Sequence, residues 1–238
     1  MIIRIEKMLQ ALSKEGKKIF TTKEFVRYTD IDKDVAYVYL NRLVKRGVIK
    51  KIKRGVYSLT EDVFLVANNL IIPSYFSLST AYYLNKKFTF MINKFFLCNS
   101  KKSQNILIDA TEVKFIKIKP RLMFGFVRRR WSDGYIFVAE LEKAILDCLY
   151  LPRYCRIGWT LEVIKESIDE IDYKKLETFL KMFNIESVRR RLGYLLDLVD
   201  VNHNIKPETK TVYKLNPYIT RKGQYDSKWR LYINEVLQ

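Results

Sequence analysis

The stretch of sequence that decides the fold is KDVAYVYLNRLVKRGVIKKIKRGVYSL, residues 33–59. Apolar residues in its first half recur every three or four positions, which predicts a helix over residues 33–46 that ends at Gly47. Its second half holds two short apolar runs separated by a tight glycine turn at Gly55, the pattern of a β-hairpin. The residues that we expect this helix to bury are Ala36, Leu40 and Leu43.

Ahead of this stretch the sequence predicts two more helices. Apolar residues from Ile2 to Leu12 are again three or four positions apart, and Thr21 with Glu24 forms a capping box at the start of a short second helix. Three helices followed by a basic hairpin predict a winged helix-turn-helix domain over residues 1–60. In that architecture the third helix lies in the major groove of DNA, and the hairpin, called the wing, reaches the neighbouring backbone or minor groove.

The charge of the chain points to a polyanionic partner. Its 238 residues include 44 lysines and arginines against 26 acidic residues, a net charge of +18. Residues 1–60 carry +9 of this excess, so a quarter of the chain holds half of the charge. Nucleic acid is therefore the first candidate partner, and an acidic membrane surface is the second. The residues predicted to contact double-stranded DNA are Lys33, Tyr37, Asn41, Arg42, Lys45, Lys50, Lys51, Lys53 and Arg54.

The residue types on the outer face of the third helix suggest how DNA would be read. Asn41 suits a bond to adenine, Arg42 suits guanine, and Tyr37 suits a thymine methyl group or a phosphate. The cations of the hairpin are expected to neutralise phosphates. The alternative is a winged fold used for protein contacts, in which these residues form a solvated face.

Residues 61–238 are predicted to form a second, mixed α/β domain, which makes the chain an α+β protein. Trp229 is expected to anchor the tail of this domain. Helices are predicted at 63–71, 139–150, 160–170, 173–183 and 187–199, with a short helix capped by Ser77 or Ser79. Strands are predicted at 88–97, 105–108, 113–119, 124–128, 135–138, 211–215 and 228–233.

A second basic surface is predicted within this domain. Residues 101–130 hold nine lysines and arginines against two acidic residues. The alternative interpretation is that these charges protect an edge strand from pairing with another chain. The partner of the surface would be DNA, RNA or an acidic protein, and its predicted members are Lys117, Lys119, Arg128, Arg129, Arg130, Arg189 and Arg190.

The sequence also excludes several kinds of site. Three cysteines without a C-x-x-C pair and a single histidine, His203, are too few ligands for a zinc site. No phosphate-binding glycine loop or dinucleotide fingerprint is present, so we predict no metal and no cofactor. Unpaired cysteines, no signal-peptide core and no apolar run of 18 residues predict a cytoplasmic protein without a membrane partner.

We predict that the chain is not an enzyme, and we keep two rival hypotheses. A nucleic-acid-processing enzyme would need clustered carboxylates. On the predicted helix at 139–150, Glu140 and Glu142 are two positions apart and do not face each other. The other rival is an RNA- or protein-binding adaptor that uses the winged fold as a scaffold. The carboxylates available to an enzyme are Asp109, Glu112, Glu140 and Asp147.

Four blocks of sequence follow one another between about residues 20 and 200. They are RLVKRGVI at 42–49 with RGVY at 54–57, PSYFSLSTA at 73–81, AELEKAILD at 139–147 and RLGYLL at 191–196. In this order the blocks resemble the AbiEi-type antitoxin regulators of abortive-infection, type IV toxin–antitoxin systems.

The resemblance implies a bacterial-type antitoxin and transcriptional repressor with two domains. The winged helix would bind inverted repeats in its own promoter, as a homodimer on DNA, and repress that promoter. Residues 61–238 would form the antitoxin or regulatory domain with a C-terminal extension. This domain would oppose a nucleotidyltransferase toxin of the AbiEii type without a stable complex, in antiviral defence.

Overall fold

A computed structural model of the chain describes residues 2–14, 17–88 and 94–237. It mixes helices with several sheets, which confirms the predicted α+β class. The helices are α1 Ile2–Lys14, α2 Thr22–Thr29, α3 Lys33–Lys45, α4 Val63–Leu70, α5 Leu78–Leu84, α6 Leu141–Tyr150, α7 Ile157–Glu166, α8 Tyr173–Phe183 and α9 Glu186–Asp197. The strands are β1 Ile19–Thr21, β2 Lys50–Lys53, β3 Val56–Ser58, β4 Ser74–Phe76, β5 Lys94–Asn99, β6 Gln104–Ile108, β7 Thr111–Lys117, β8 Phe126–Trp131, β9 Gly134–Ala139, β10 Tyr213–Lys214, β11 Gln224–Asp226 and β12 Leu231–Ile233.

The elements from α1 to β3 form an N-terminal unit with its own small core. The strands make an antiparallel sheet in the order β1-β3-β2, and the helices pack against it. Thr21 and Glu24 cap α2 reciprocally, as the capping-box pattern predicts. Gly47 follows α3 with a φ of +68°, a left-handed conformation that favours glycine at this position.

The elements from α4 onward form a larger C-terminal unit around a mixed sheet. Its strand order is β6-β7-β5-β4-β9-β8, with parallel pairs at β5/β7 and β4/β9 and antiparallel pairs elsewhere. The predicted strand at 88–97 is β5, which begins at Lys94; residues 89–93 lie outside the described residues. Strands β1, β4 and β11, of three residues each, were not predicted.

A fully buried polar cluster joins β4, α5 and α6. The carboxylate of Asp147 accepts hydrogen bonds from the hydroxyls of Tyr75 at 2.9 Å and Ser77 at 2.7 Å, and it pairs with the ammonium of Lys143. Ser77 precedes α5 as predicted, but its hydroxyl does not cap the helix because it is committed to Asp147. Burial and the nearby Asp147 carboxylate raise the pKa of the Tyr75 hydroxyl well above its usual value.

The tail is held against α9 by Trp229, as predicted. The indole is buried, and its Nε1 donates to Asp197 at 2.6 Å. Gly193 leaves room for the ring, because a Cβ atom at that position would lie 1.9 Å from it.

Two salt bridges link the N-terminal unit to the large sheet. Lys18 Nζ lies 2.5 Å from Asp133 in the β8–β9 turn, and Lys50 Nζ lies 2.5 Å from Asp109 in the β6–β7 turn. Of the two lysines, Lys50 belongs to β2, so its salt bridge links the β2–β3 hairpin to the β6–β7 turn. Within the described residues, none of the helices is long and apolar enough to cross a bilayer.

Candidate nucleic-acid interface

Helix α3 buries one side and presents the other to solvent. Ala36 and Leu40 are completely buried in the N-terminal core, as their spacing predicts. Four of the predicted DNA-binding residues are spaced four positions apart and therefore form one stripe along the helix. All four are exposed: Lys33, Tyr37, Asn41 and Lys45.

Arg42 lies beside this stripe and is also exposed. Its guanidinium lies over the ring of Tyr39, 5.6 Å from the ring centroid, which restrains the side chain. Two valines on the same side of the helix, Val35 and Val38, are 41% and 49% exposed. Sequence reasoning did not assign these valines a role. Their apolar side chains suit contact with thymine methyl groups, which lie in the major groove.

The β2–β3 hairpin places its cations unequally. Lys51 and Arg54 are exposed, whereas Lys50 is engaged by Asp109 and is therefore less available for a phosphate than predicted. Lys53 is half-buried, and burial together with the nearby charge of Lys102 lowers its pKa. Over the residues that the structure describes, neither Lys53 nor Lys102 forms a salt bridge with a carboxylate.

A cleft of about 520 Å³ lies between α3, the start of α2 and the hairpin turn. Lys33 and Tyr37 line one side, and Thr22 and Gly55 line the other. The amide of Thr22 donates to the carbonyl of Gly55 at 3.0 Å, which ties the hairpin turn to α2. The bond therefore links the hairpin turn to the helix that precedes α3.

The predicted second basic surface is not continuous. Lys117 and Lys119 are exposed at the end of β7, whereas Arg128 and Arg130 are exposed on β8. Three strands separate β7 from β8, a distance of about 19 Å at the usual strand spacing. The guanidinium of Arg129 is anchored to the carbonyl of Leu84 at 3.1 Å instead.

The two arginines of α9 that were predicted to belong to the second basic surface are not free on the surface. Arg190 is completely buried, and its guanidinium bonds to the Glu186 carboxylate and to the carbonyls of Thr209 and Thr211, so it forms no part of an exposed surface. Arg189 is mostly buried, between Glu186 and Glu208. Both arginines attach the tail to α9.

The carboxylates proposed for an enzyme do not converge. Each pairs with a different lysine: Asp109 with Lys50, Glu112 with Lys94, Glu140 with Lys175 and Asp147 with Lys143. In the part of the chain that the structure describes, no three acidic, histidine or cysteine side chains are grouped so that they could hold a metal ion.

Comparisons with known proteins agree with the N-terminal resemblance. Residues 6–60 match the family described as "Transcriptional regulator, AbiEi antitoxin", which confirms the predicted resemblance over this segment. The description names a regulator and not a class of enzyme. No curated protein matches the chain.

A solved structure of low sequence identity shares the fold over nearly the whole chain. The crystal structure of the RV2827C protein from Mycobacterium tuberculosis superimposes with a TM-score of 0.59 at 12% sequence identity. The alignment covers 96% of this chain and 90% of that chain. At this identity the likeness concerns the fold alone.

Proposed function

We propose that residues 1–60 are a winged helix-turn-helix domain that binds duplex DNA by sequence, and that the chain is a transcriptional repressor. The observation that carries the proposal is the exposed stripe of α3, from Lys33 to Lys45. The β2–β3 hairpin of the same N-terminal unit adds the exposed cations Lys51 and Arg54. The match of residues 6–60 to a family of regulators supports it independently.

In the proposed complex, α3 enters the major groove and the β2–β3 wing lies along the backbone. A helix of 13 residues is about 20 Å long, so only part of α3 meets base edges. Asn41 and Arg42 then read bases, because their side chains suit bidentate bonds to adenine and guanine. Lys33, Lys45, Lys51, Lys53 and Arg54 neutralise phosphates, which gives affinity but no sequence preference.

The family description, an antitoxin regulator, supports a biological role that we propose in more detail. In this proposal the chain represses its own promoter, binding inverted repeats there as a homodimer, while the domain formed by residues 61–238 opposes a nucleotidyltransferase toxin. Growth of cells that express such a toxin from the neighbouring gene, with and without this chain, tests the antitoxin role. Unrelieved toxicity would reject that role but would leave DNA binding untouched.

Two variants distinguish base contacts, proposed for Arg42, from phosphate contacts, proposed for Arg54. Both are measured in a binding titration with duplex from the upstream region of the gene. Arg42→Ala should remove preference for one base and cost about 1–3 kcal/mol on the preferred duplex only. Arg54→Ala should weaken binding to all duplexes alike and reduce the salt slope, d log K/d log[salt], by about 0.9.

Lys50→Ala is the matched control for the hairpin. Because Lys50 already pairs with Asp109, Lys50→Ala should change the salt slope less than Arg54→Ala does. Identical behaviour of Arg42→Ala and Arg54→Ala on matched and scrambled duplexes would refute the division of roles.

A further inference from the structure

The β8–β9 hairpin of the C-terminal unit presents two aromatic rings to solvent. Tyr135 and Phe137 are 49% and 39% exposed, and they point to the same side of β9 because they are two positions apart. Exposed aromatic rings that adjoin one another mark an interaction surface more often than isolated apolar residues do.

Two arginines of β8 lie on this same side. The register pairs Arg128 with Phe137 and Arg130 with Tyr135, so cations and rings alternate across the two strands. The guanidinium of Arg128 stacks on the ring of Tyr135, with its central carbon 3.7 Å from the ring centroid. Among the described residues, neither Arg128 nor Arg130 forms a salt bridge with a carboxylate.

A small cavity adjoins the rings. It has a volume of about 180 Å³ and lies between Tyr135 and Phe137 on one side and Ile72 and Pro73 on the other. This is below the range of about 300–1,000 Å³ that is usual for pockets that enclose drug-sized ligands, so it suits one planar ring inserted edge-on.

The floor of the cavity is held rigidly. The side-chain amide of Asn68 accepts from the backbone N–H of Phe137 at 2.6 Å and donates to the carbonyl of Ser74 at 3.0 Å. Asn68 thus fixes β9 to β4 behind the exposed rings.

We propose that this face, formed by Arg128, Arg130, Tyr135 and Phe137, binds single-stranded nucleic acid. Unpaired bases stack on aromatic rings and on arginine guanidinium planes, while the arginines bond the phosphates. Protection of the edge strand β8 would explain the arginines. It would not explain the exposed aromatic rings on β9.

Two other occupants fit the face less well. The bases of a duplex are already stacked on one another, so their faces are not free to stack on Tyr135 or Phe137. An acidic peptide would use the two arginines but would leave the rings and the cavity unfilled.

The test is fluorescence anisotropy of the full chain with four labelled probes: a 12-nucleotide oligouridylate, a 12-nucleotide oligothymidylate, a 12-base-pair hairpin duplex and a 12-residue glutamate peptide. Phe137→Leu should weaken binding of the single strands by about 5- to 150-fold, the range for loss of one base–aromatic stack. Phe137→Tyr keeps the ring and should bind as the wild type does. The oligouridylate and oligothymidylate arms distinguish RNA from DNA through the 2′-hydroxyl.

Arg128→Ala is a second variant that alters only an exposed side chain. It should weaken single-strand binding and reduce the salt slope by about 0.7. Tyr225→Ala is the matched control, since Tyr225 is 46% exposed on a different sheet. In the Arg42→Ala background, Phe137→Leu should weaken single-strand binding by the same factor as in the wild type, which separates this proposal from duplex reading by α3.

The proposal is overturned if the wild type binds neither single strand, or if Phe137→Leu binds both as tightly as the wild type. It is also overturned if the glutamate peptide or the hairpin duplex shows the same dependence on Phe137, because the face would then serve a protein or a duplex.

Discussion

Asp147 holds together the buried polar cluster of the C-terminal unit, and Asp147→Leu is expected to destabilise the fold severely. Its carboxylate accepts from Tyr75 and Ser77 and pairs with Lys143, and both charged side chains are 0% exposed. Removing one partner of a buried ion pair costs about 3–5 kcal/mol, and each hydroxyl left without an acceptor adds about 1–3 kcal/mol. Because energies within one network do not add, we expect a loss of about 5 kcal/mol in the free energy of unfolding.

A double variant that adds Lys143→Met to Asp147→Leu should regain part of the lost free energy of unfolding. The ammonium lies 5.0 Å from the ring centroid of Phe183 and 5.2 Å from that of Phe124, surroundings that accept an apolar side chain of similar length. Replacement of a whole buried pair by apolar residues is often nearly neutral, whereas a single replacement leaves a charge unpaired. We expect the double variant to be more stable than Asp147→Leu by about 2 kcal/mol or more.

Urea unfolding of the full chain at neutral pH, followed by circular dichroism, measures all four corners of this cycle. Lys94→Met is the control, because both side chains of the Lys94–Glu112 pair are well exposed and the pair should contribute about 1 kcal/mol or less. A double variant whose loss in the free energy of unfolding equals the sum of the losses of Asp147→Leu and Lys143→Met would refute the reasoning. Such additivity would mean that the two charges do not stabilise each other.

Two further stability predictions concern local packing and capping. Gly193→Ala should cost about 1–3 kcal/mol or more in urea unfolding, because the new Cβ would lie 1.9 Å from Trp229; an unchanged midpoint would mean that the tail does not pack there. Burial raises the pKa of Glu24, but bonds from Lys17 and Thr21 outweigh it and hold that pKa below its usual value. The stability that Glu24 contributes is therefore present above about pH 4.3, its pKa in the unfolded chain, and is lost as the pH falls through the lower pKa of the folded state. At pH 7 the wild type should be more stable than Glu24→Gln by about 1 kcal/mol, and this difference should shrink towards pH 3. A difference that stays constant with pH would contradict this.

The elements predicted correctly are those with local signals. The capping box at Thr21, the length of α3 and the glycine turn at Gly55 each depend on residues within a few positions of one another, and the structure confirms all three. By contrast, β1 pairs Ile19 with Ser58, almost forty positions along the chain, and three residues give no periodicity from which to predict a strand.

The predicted basic surfaces show the same limit. Arg190 is part of a run of three arginines that predicts a solvated face, yet it is buried because carbonyls near Thr209 and Thr211 satisfy it. Lys50 is paired with Asp109, which is distant in sequence, whereas the neighbouring Lys51 is exposed. A run of charges predicts a partner for the chain as a whole, but the exposure of each side chain depends on tertiary contacts that composition does not contain.

The central claim is that α3 reads a DNA sequence, and a competition titration at about 0.15 M salt tests it most directly. The full chain is bound to labelled duplex from the upstream region of its gene and displaced by unlabelled scrambled duplex of the same composition. Specific DNA-binding proteins prefer their sites by at least about 10³-fold, and we predict a ratio of this order that falls about 5- to 150-fold in Arg42→Ala. Equal competition by the scrambled duplex, in the wild type as in the variant, would contradict the account.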